Sequence, residues 1–249
     1  MLFATRLGMH PLQMAASDRN PHRVDELLAA GADVHAVDAQ GWTALHCVAD
    51  LSARESGAVP ALVAMTRALL DAGADPNVPG TGDRRTPFEL VLDRGSVAQN
   101  SALLERGARS DREISIALGS EIDRVAKVTA LLARGSNVSA SCALVFPPRD
   151  PAEHVVLTRA LLDAGAEVDA GKGGWTALAY AAWNGNADLV DLLLARGARP
   201  DIAIAYDATD TGIDRGSVPY EIAEFGGNNE IAERLKAVTP AKKARRSRR

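Results

Sequence analysis

Aromatic residues make up 4% of the 249-residue chain, and only two residues are cysteine. Whatever core the chain builds must therefore be filled by aliphatic side chains. Cys47 and Cys142 share no paired spacing of the kind that marks a disulfide framework or a cysteine-based metal site; they are expected to be free buried thiols, as in a reducing compartment. Nowhere does an apolar run approach the eighteen residues of a membrane span. Residues 1–7 lack the apolar core of a secretory signal, so the expected location is the cytoplasm.

Catalytic patterns are equally scarce. His10, His22, His35, His46 and His154 are scattered, and none shares a short spacing with a cysteine or carboxylate cluster. Gly80-Thr81-Gly82-Asp83-Arg84-Arg85 lacks the lysine of a phosphate-binding loop and reads as a turn. Asp207, Asp210 and Asp214 do not match a calcium-loop spacing. The expectation is a chain without metal or cofactor and without enzymatic activity.

What the chain has in abundance is repetition. Leu27-Leu28-Ala29-Ala30-Gly31-Ala32 returns as Leu69-Leu70-Asp71-Ala72-Gly73-Ala74, and again at Gly107, Gly135, Gly165 and Gly197. Successive glycines lie 42, 34, 28, 30 and 32 residues apart. A period near thirty means that one supersecondary unit, too small to bury its own apolar face, is copied and stacked. Function is then expected on a surface rather than in a pocket.

A second phrase precedes the glycine: Thr43-Ala44-Leu45-His46, Thr86-Pro87-Phe88-Glu89 and Thr176-Ala177-Leu178-Ala179, with His10-Pro11-Leu12-Gln13 as a weaker copy. Thr86 to Gly107 and Thr176 to Gly197 both span 21 residues. Threonine can cap the first helix, proline is tolerated in a first helical turn, and the glycine supplies a left-handed stop for the second helix. Taken together these phrases resemble the ankyrin repeat, whose unit opens T-P-L-H-x-A and forms a turn and two helices.

The resemblance implies an all-α solenoid of stacked helix-turn-helix units joined by β-hairpin or turn loops. It covers residues 5–237 as one domain of about seven repeats and leaves 238–249 as a basic tail without fixed structure. First helices are expected near Pro11, Thr43, Thr86, Thr176 and Val218. Copies four and five are degenerate, with Ile114–Ser120 and Cys142–Phe146 standing in for first helices and Val125–Arg134 and Glu153–Ala164 as second helices. Two copies carry nine extra residues each, assigned to loops at 50–60 and 202–216.

Partner-facing positions in that family are the hairpin tips and the exposed side of the first helix, on one concave face. Mapped here, they are Gln40, Trp42, Asp50, Leu51, Arg85, Asp93, Arg94, Lys172, Trp175, Trp183 and Asn184, with Tyr206 added from the second insertion. All three tryptophans fall in the set. They read either as interface anchors, for which tryptophan is enriched, or as rings packed along the adjacent hairpin.

Charge is unevenly placed. Lys242–Arg249 carries six positive charges, while the other 241 residues hold 22 basic and 32 acidic side chains. The implied function is a non-enzymatic protein-binding module with a protein partner, favouring a basic one, that serves as adaptor, regulator or immunity-like protein. The Ala, Arg and Gly richness suggests a bacterial source, and a host-delivered effector is a further role. The alternative is a nucleic-acid-associated regulator that uses the basic run for phosphate contacts.

Overall fold

In the computed structural model all six repeated glycines take positive φ, from 81° at Gly107 to 94° at Gly73. A Cβ is disfavoured in this left-handed region, so glycine is what allows each second helix to stop there. The stop is the same each time. Gly31 N–H donates to the Leu28 carbonyl at 3.0 Å and Ala32 N–H to the Leu27 carbonyl at 2.9 Å, and Gly73 and Ala74 repeat the pattern on Leu70 and Leu69.

The structure describes residues 8–51, 53, 57–82, 84–136, 138, 150–172, 175–205 and 213–240. Outside these lie Cys142, the segment expected as a first helix at 142–146, Tyr206, Asp207, Asp210 and the basic run. Among the described residues are thirteen helices and one two-stranded hairpin. The chain divides into two compact units, 1–136 and 137–249.

Unit one contains four helix pairs: α1 (Pro11–Ser17) with α2 (Pro21–Ala29), α3 (Ala44–Asp50) with α4 (Ala58–Asp71), α5 (Pro87–Arg94) with α6 (Val97–Glu105), and α7 (Glu113–Gly119) with α8 (Arg124–Ala133). First helices stack on first helices, α1 on α3 on α5 on α7; second helices likewise run α2, α4, α6, α8. Their buried faces are aliphatic, with Leu45, Leu62, Leu69, Leu92, Leu103 and Leu131 each at most 1% exposed. Among the described residues Phe88 is the largest fully buried side chain.

Unit two holds α9 (Pro151–Asp163), strands β1 (Gly171–Lys172) and β2 (Trp175–Thr176), and the pairs α10 (Ala177–Trp183) with α11 (Ala187–Ala195) and α12 (Pro219–Phe225) with α13 (Asn229–Val238). The strands pair antiparallel, Gly171 opposite Thr176 and Lys172 opposite Trp175. Helix α9 packs on α11, and α10 on α12.

The start signals work through hydrogen bonds that the helix would otherwise lack. Thr86 Oγ1 accepts from Glu89 N–H at 3.2 Å while Glu89 Oε2 accepts from Thr86 N–H at 3.3 Å. Thr176 Oγ1 accepts from Ala179 N–H at 3.3 Å. At Thr43 the ring of His46 takes the carboxylate's place, its Nδ1 accepting from Thr43 N–H at 3.0 Å. Val218 has no acceptor to offer, and only the return half of the box survives, with Glu221 Oε2 accepting from Val218 N–H at 2.9 Å.

One expected loop is partly helix. Residues 58–60 were assigned to the first insertion, but α4 begins at Ala58 and runs for 14 residues, against nine in α2, α6 and α11. Part of the added sequence therefore lengthens the helix at its N-terminal end. Pro60 does not prevent this, because a proline in the first turn gives up an N–H that has no helical acceptor.

Neighbouring pairs are also joined at their C-terminal ends by arginine. Arg106, just before Gly107, donates from Nη1 to the Leu70 carbonyl at 3.2 Å and pairs with Asp71. Arg134 donates to the Leu104 carbonyl at 3.0 Å, and Arg196 meets Asp163 at 2.7 Å. Each thus satisfies or neutralises the end of the preceding second helix, where carbonyls are left without helical donors.

Candidate functional site

Trp42 stands on the turn that leads into α3, held there by its own backbone. Its N–H donates to Asp38 Oδ1 at 2.9 Å, and its carbonyl accepts from Asp38 N–H at 3.0 Å and from the Gln13 side chain of the preceding pair. The half-buried indole stacks on the His46 ring, centroids 5.8 Å apart and planes 21° from parallel. Its far edge lies on the next turn, where a Cβ built on Gly80 would come within 2.9 Å of Trp42 Nε1. Gln40 beside it is exposed, and its carbonyl accepts from Thr81 N–H at 2.8 Å. The indole is thus packed along the adjacent turn and remains half-buried.

Four other sequence-chosen residues of unit one form a single network. Arg85 directs both Nη atoms at Asp93 Oδ2, each at 3.1 Å. Arg94 reaches Asp93 at 3.5 Å and Asp50, the last residue of α3, at 2.6 Å. Their side chains are 26% to 40% exposed, so solvent screens the pairs and each contributes at most about 1 kcal/mol. Their effect is to fix a patch of alternating charge across the ends of α3 and α5. Leu51, half-buried, caps α3, and Ala53 N–H ties this stretch to the Arg94 carbonyl at 3.2 Å.

In unit two the second insertion is anchored by isoleucines. Ile204 N–H donates to the Ser217 carbonyl at 3.0 Å and Gly216 N–H to the Ile204 carbonyl at 2.9 Å, closing the base of the segment. Ile204 and Ile213 are 2% and 1% exposed and pack with Ala179 of α10 and Ile222 of α12. Trp175 and Trp183 lie against this cluster, each partly exposed. Trp175 also meets the Tyr180 ring, centroids 5.1 Å apart. The Trp183 carbonyl is clamped by Asn228 Nδ2 at 2.8 Å, and exposed Asn184 donates back to the Tyr180 carbonyl at 2.9 Å. Lys172 enters through its backbone pairing with Trp175.

Two residues of this face escaped the sequence reading. Tyr180 is 36% exposed and Phe225 53% exposed. Phe225 follows the N-cap Val218 by seven residues, just as Trp183 follows Thr176. That seven-residue register is legible in the sequence, although neither Tyr180 nor Phe225 is a tryptophan. Four of the chain's ten aromatic residues, Trp175, Tyr180, Trp183 and Phe225, thus gather on β2 and on two first helices that pack side by side.

The described residues contain no group of three or more His, Cys, Asp or Glu that could hold a metal ion. No described helix is long and apolar enough to cross a membrane. Burial pushes the Cys47 thiol up to about 11, leaving it protonated and inert. Burial lowers Lys127 to about 8, and its ammonium is spent on the Leu92 carbonyl and Ser120 Oγ, both at 2.9 Å.

Comparison with known proteins gives a consistent result. Three family models match: ankyrin repeats (3 copies) over residues 150–204, ankyrin repeats (many copies) over 12–59 and ankyrin repeat over 40–81. Mouse NF-kappa-B inhibitor delta is 28% identical over 192 residues, 64% of this chain, which spans only 58% of that relative's length. The ankyrin repeat domain of human ASB11 superposes with a TM-score of 0.65 at 23% identity, covering 91% of this chain and 98% of that one. The ankyrin repeat domain of Bcl-3 gives 0.63 at 22% identity, covering 91% and 99%.

Proposed function

The chain belongs to the ankyrin-repeat family, and we propose that it is a non-enzymatic module that binds a protein partner through the exposed faces of its first helices and adjoining turns. The observation that carries this reading is the placing of scarce aromatic residues. With ten aromatic residues in 249, burial of Trp175, Tyr180, Trp183 and Phe225 in the core would be the cheapest arrangement, yet all four keep contact with solvent. Large rigid rings at a partly exposed face are what interface anchors are made of.

The partner positions are Gln40, Trp42, Asp50, Leu51, Arg85, Asp93 and Arg94 in unit one and Lys172, Trp175, Trp183 and Asn184 in unit two, with Tyr206 beside them in sequence. We read seven repeats, the fourth and fifth departing from the pattern, in a cytoplasmic protein. An acidic body favours a basic partner by steering encounter and by opposing wrong pairings.

Affinity capture from the source lysate tests the reading, comparing the chain with a folded variant in which Trp42, Trp175 and Trp183 are alanine. A protein retained by the first and lost by the second supports it. Equal recovery by both removes the tryptophan faces from the function. A second reading, phosphate contact by the six charges of residues 242–249, requires salt-sensitive duplex binding that vanishes when those residues are deleted.

A further inference from the structure

The negative charge of this chain is concentrated in the unit that bears the aromatic face. Residues 1–136 hold 14 basic and 17 acidic side chains, a net −3, whereas residues 137–241 hold 8 and 15, a net −7. The run 242–249 adds six positive charges and no negative ones directly after the more acidic unit. It shares no interleaved aromatic residue and no apolar spacing with the repeats, so nothing in its own sequence supplies a core to pack into.

The aromatic face of unit two is specific in its chemistry. Trp183 and Tyr180 lie one turn apart on α10, and Phe225 takes the register of Trp183 on α12, which packs beside it. Exposed Glu224 is its immediate neighbour. Aromatic rings next to carboxylates suit guanidinium groups, which stack on a ring while donating to an acid. The distance is also right. Helix α13 runs back along α12 for ten residues, roughly 15 Å, and the nine residues after Pro240 can extend to about 30 Å. The run can therefore return from the end of α13 past Phe225.

We infer that the basic run 242–249 occupies the Tyr180–Trp183–Phe225 face of its own chain, arginine over ring and Glu224, and so competes with any basic partner for that face. The contact itself needs no partner; its regulatory consequence rests on the binding reading given above. A short tether sets an effective concentration on the order of 1 mM. If the detached run binds with a dissociation constant on the order of 0.1 mM, the tethered one is bound about nine-tenths of the time, and an outside competitor is weakened about tenfold.

The test uses a fluorescein-labelled peptide of residues 241–249, with anisotropy read at low salt. The receptors are the full chain, a chain ending at Pro240, and a full-length chain with the six basic residues replaced by serine. The two chains without the charged run should bind the peptide about tenfold more tightly than the full chain. In the chain ending at Pro240, Glu224→Lys should weaken the peptide about fivefold, and Phe225→Ser should do so comparably; both change exposed side chains, with folding checked by circular dichroism.

Equal binding by full and shortened chains overturns the inference, as does binding indifferent to Glu224 and Phe225. Sedimentation showing charge-dependent dimers of the full chain overturns it in favour of exchange between copies. Because no partner is present, a failed partner capture leaves this result standing, and a failed peptide titration leaves the partner reading standing.

Discussion

Lys127 Nζ on α8 lies 2.9 Å from the carbonyl oxygen of Leu92, in the last turn of α5, and so ties a second helix to the end of a first helix in the preceding pair. Ser120 Oγ receives a second bond from the same ammonium and donates onward to the Asp93 carbonyl at 2.8 Å. The group is fully buried, and the nearby charges of Asp123 and Asp93 offset only part of the cost. The folded chain therefore gives up this proton at about pH 8, where an ordinary lysine holds it to 10.5.

The sign of the pH effect follows. Between about 8 and 10.5 the unfolded chain carries a proton that the folded one has lost, so the Lys127 contribution to stability rises with pH. Urea unfolding at pH 7.5 and 9.5 should show the native chain gaining about 2 kcal/mol relative to Lys127→Met. Cys47, raised from 9.0 to about 11, pulls the other way in both proteins and cancels from the comparison. Parallel pH profiles would mean that Lys127 is not buried as described.

Gly80 and Trp42 should be energetically coupled. An alanine methyl at 80 would sit 2.9 Å from the indole nitrogen, so Gly80→Ala should cost about 1–3 kcal/mol. In a Trp42→Ala background that cost should fall by about 1 kcal/mol or more. A double-mutant cycle with no coupling would place the ring away from the turn at Gly80.

Buried and exposed apolar side chains on neighbouring elements should part sharply. Leu193→Ala, at 0% exposure, should destabilise by about 2–5 kcal/mol in thermal or urea unfolding. Phe225→Ala, at 53% exposure, should stay within about 0.5 kcal/mol. A large loss for Phe225 would assign it to packing and remove it from the binding face.

The Cys47 thiol should be silent. In a Cys142→Ser chain, alkylation by iodoacetamide at pH 8 should be negligible while folded and complete in urea, because burial holds the thiol protonated up to about 11. Rapid modification of the folded chain would show local opening of α3.

The repeated glycines were legible because their φ leaves little choice of residue, and the threonines because the first helical turn needs acceptors. Both are local demands. The Arg85–Asp93–Arg94–Asp50 network was not legible as a network: Arg94 and Asp50 are 44 residues apart, and only the stacking of α5 on α3 brings them together. Gly57 and Pro60 fall in the stretch 50–60 that the sequence assigns to a loop, yet Gly57 with φ 80° is the cap of a longer α4. Tertiary packing decided that boundary, which propensity alone could not.

Arg106, Arg134 and Arg196 each reach backward to close the second helix of the preceding repeat. A copy of such a repeat carries with it the group its new neighbour requires. Gene duplication within the array therefore delivers a matched junction at the moment of insertion, before any selection for fit, and the chemistry that holds the protein together also lowers the barrier to lengthening it.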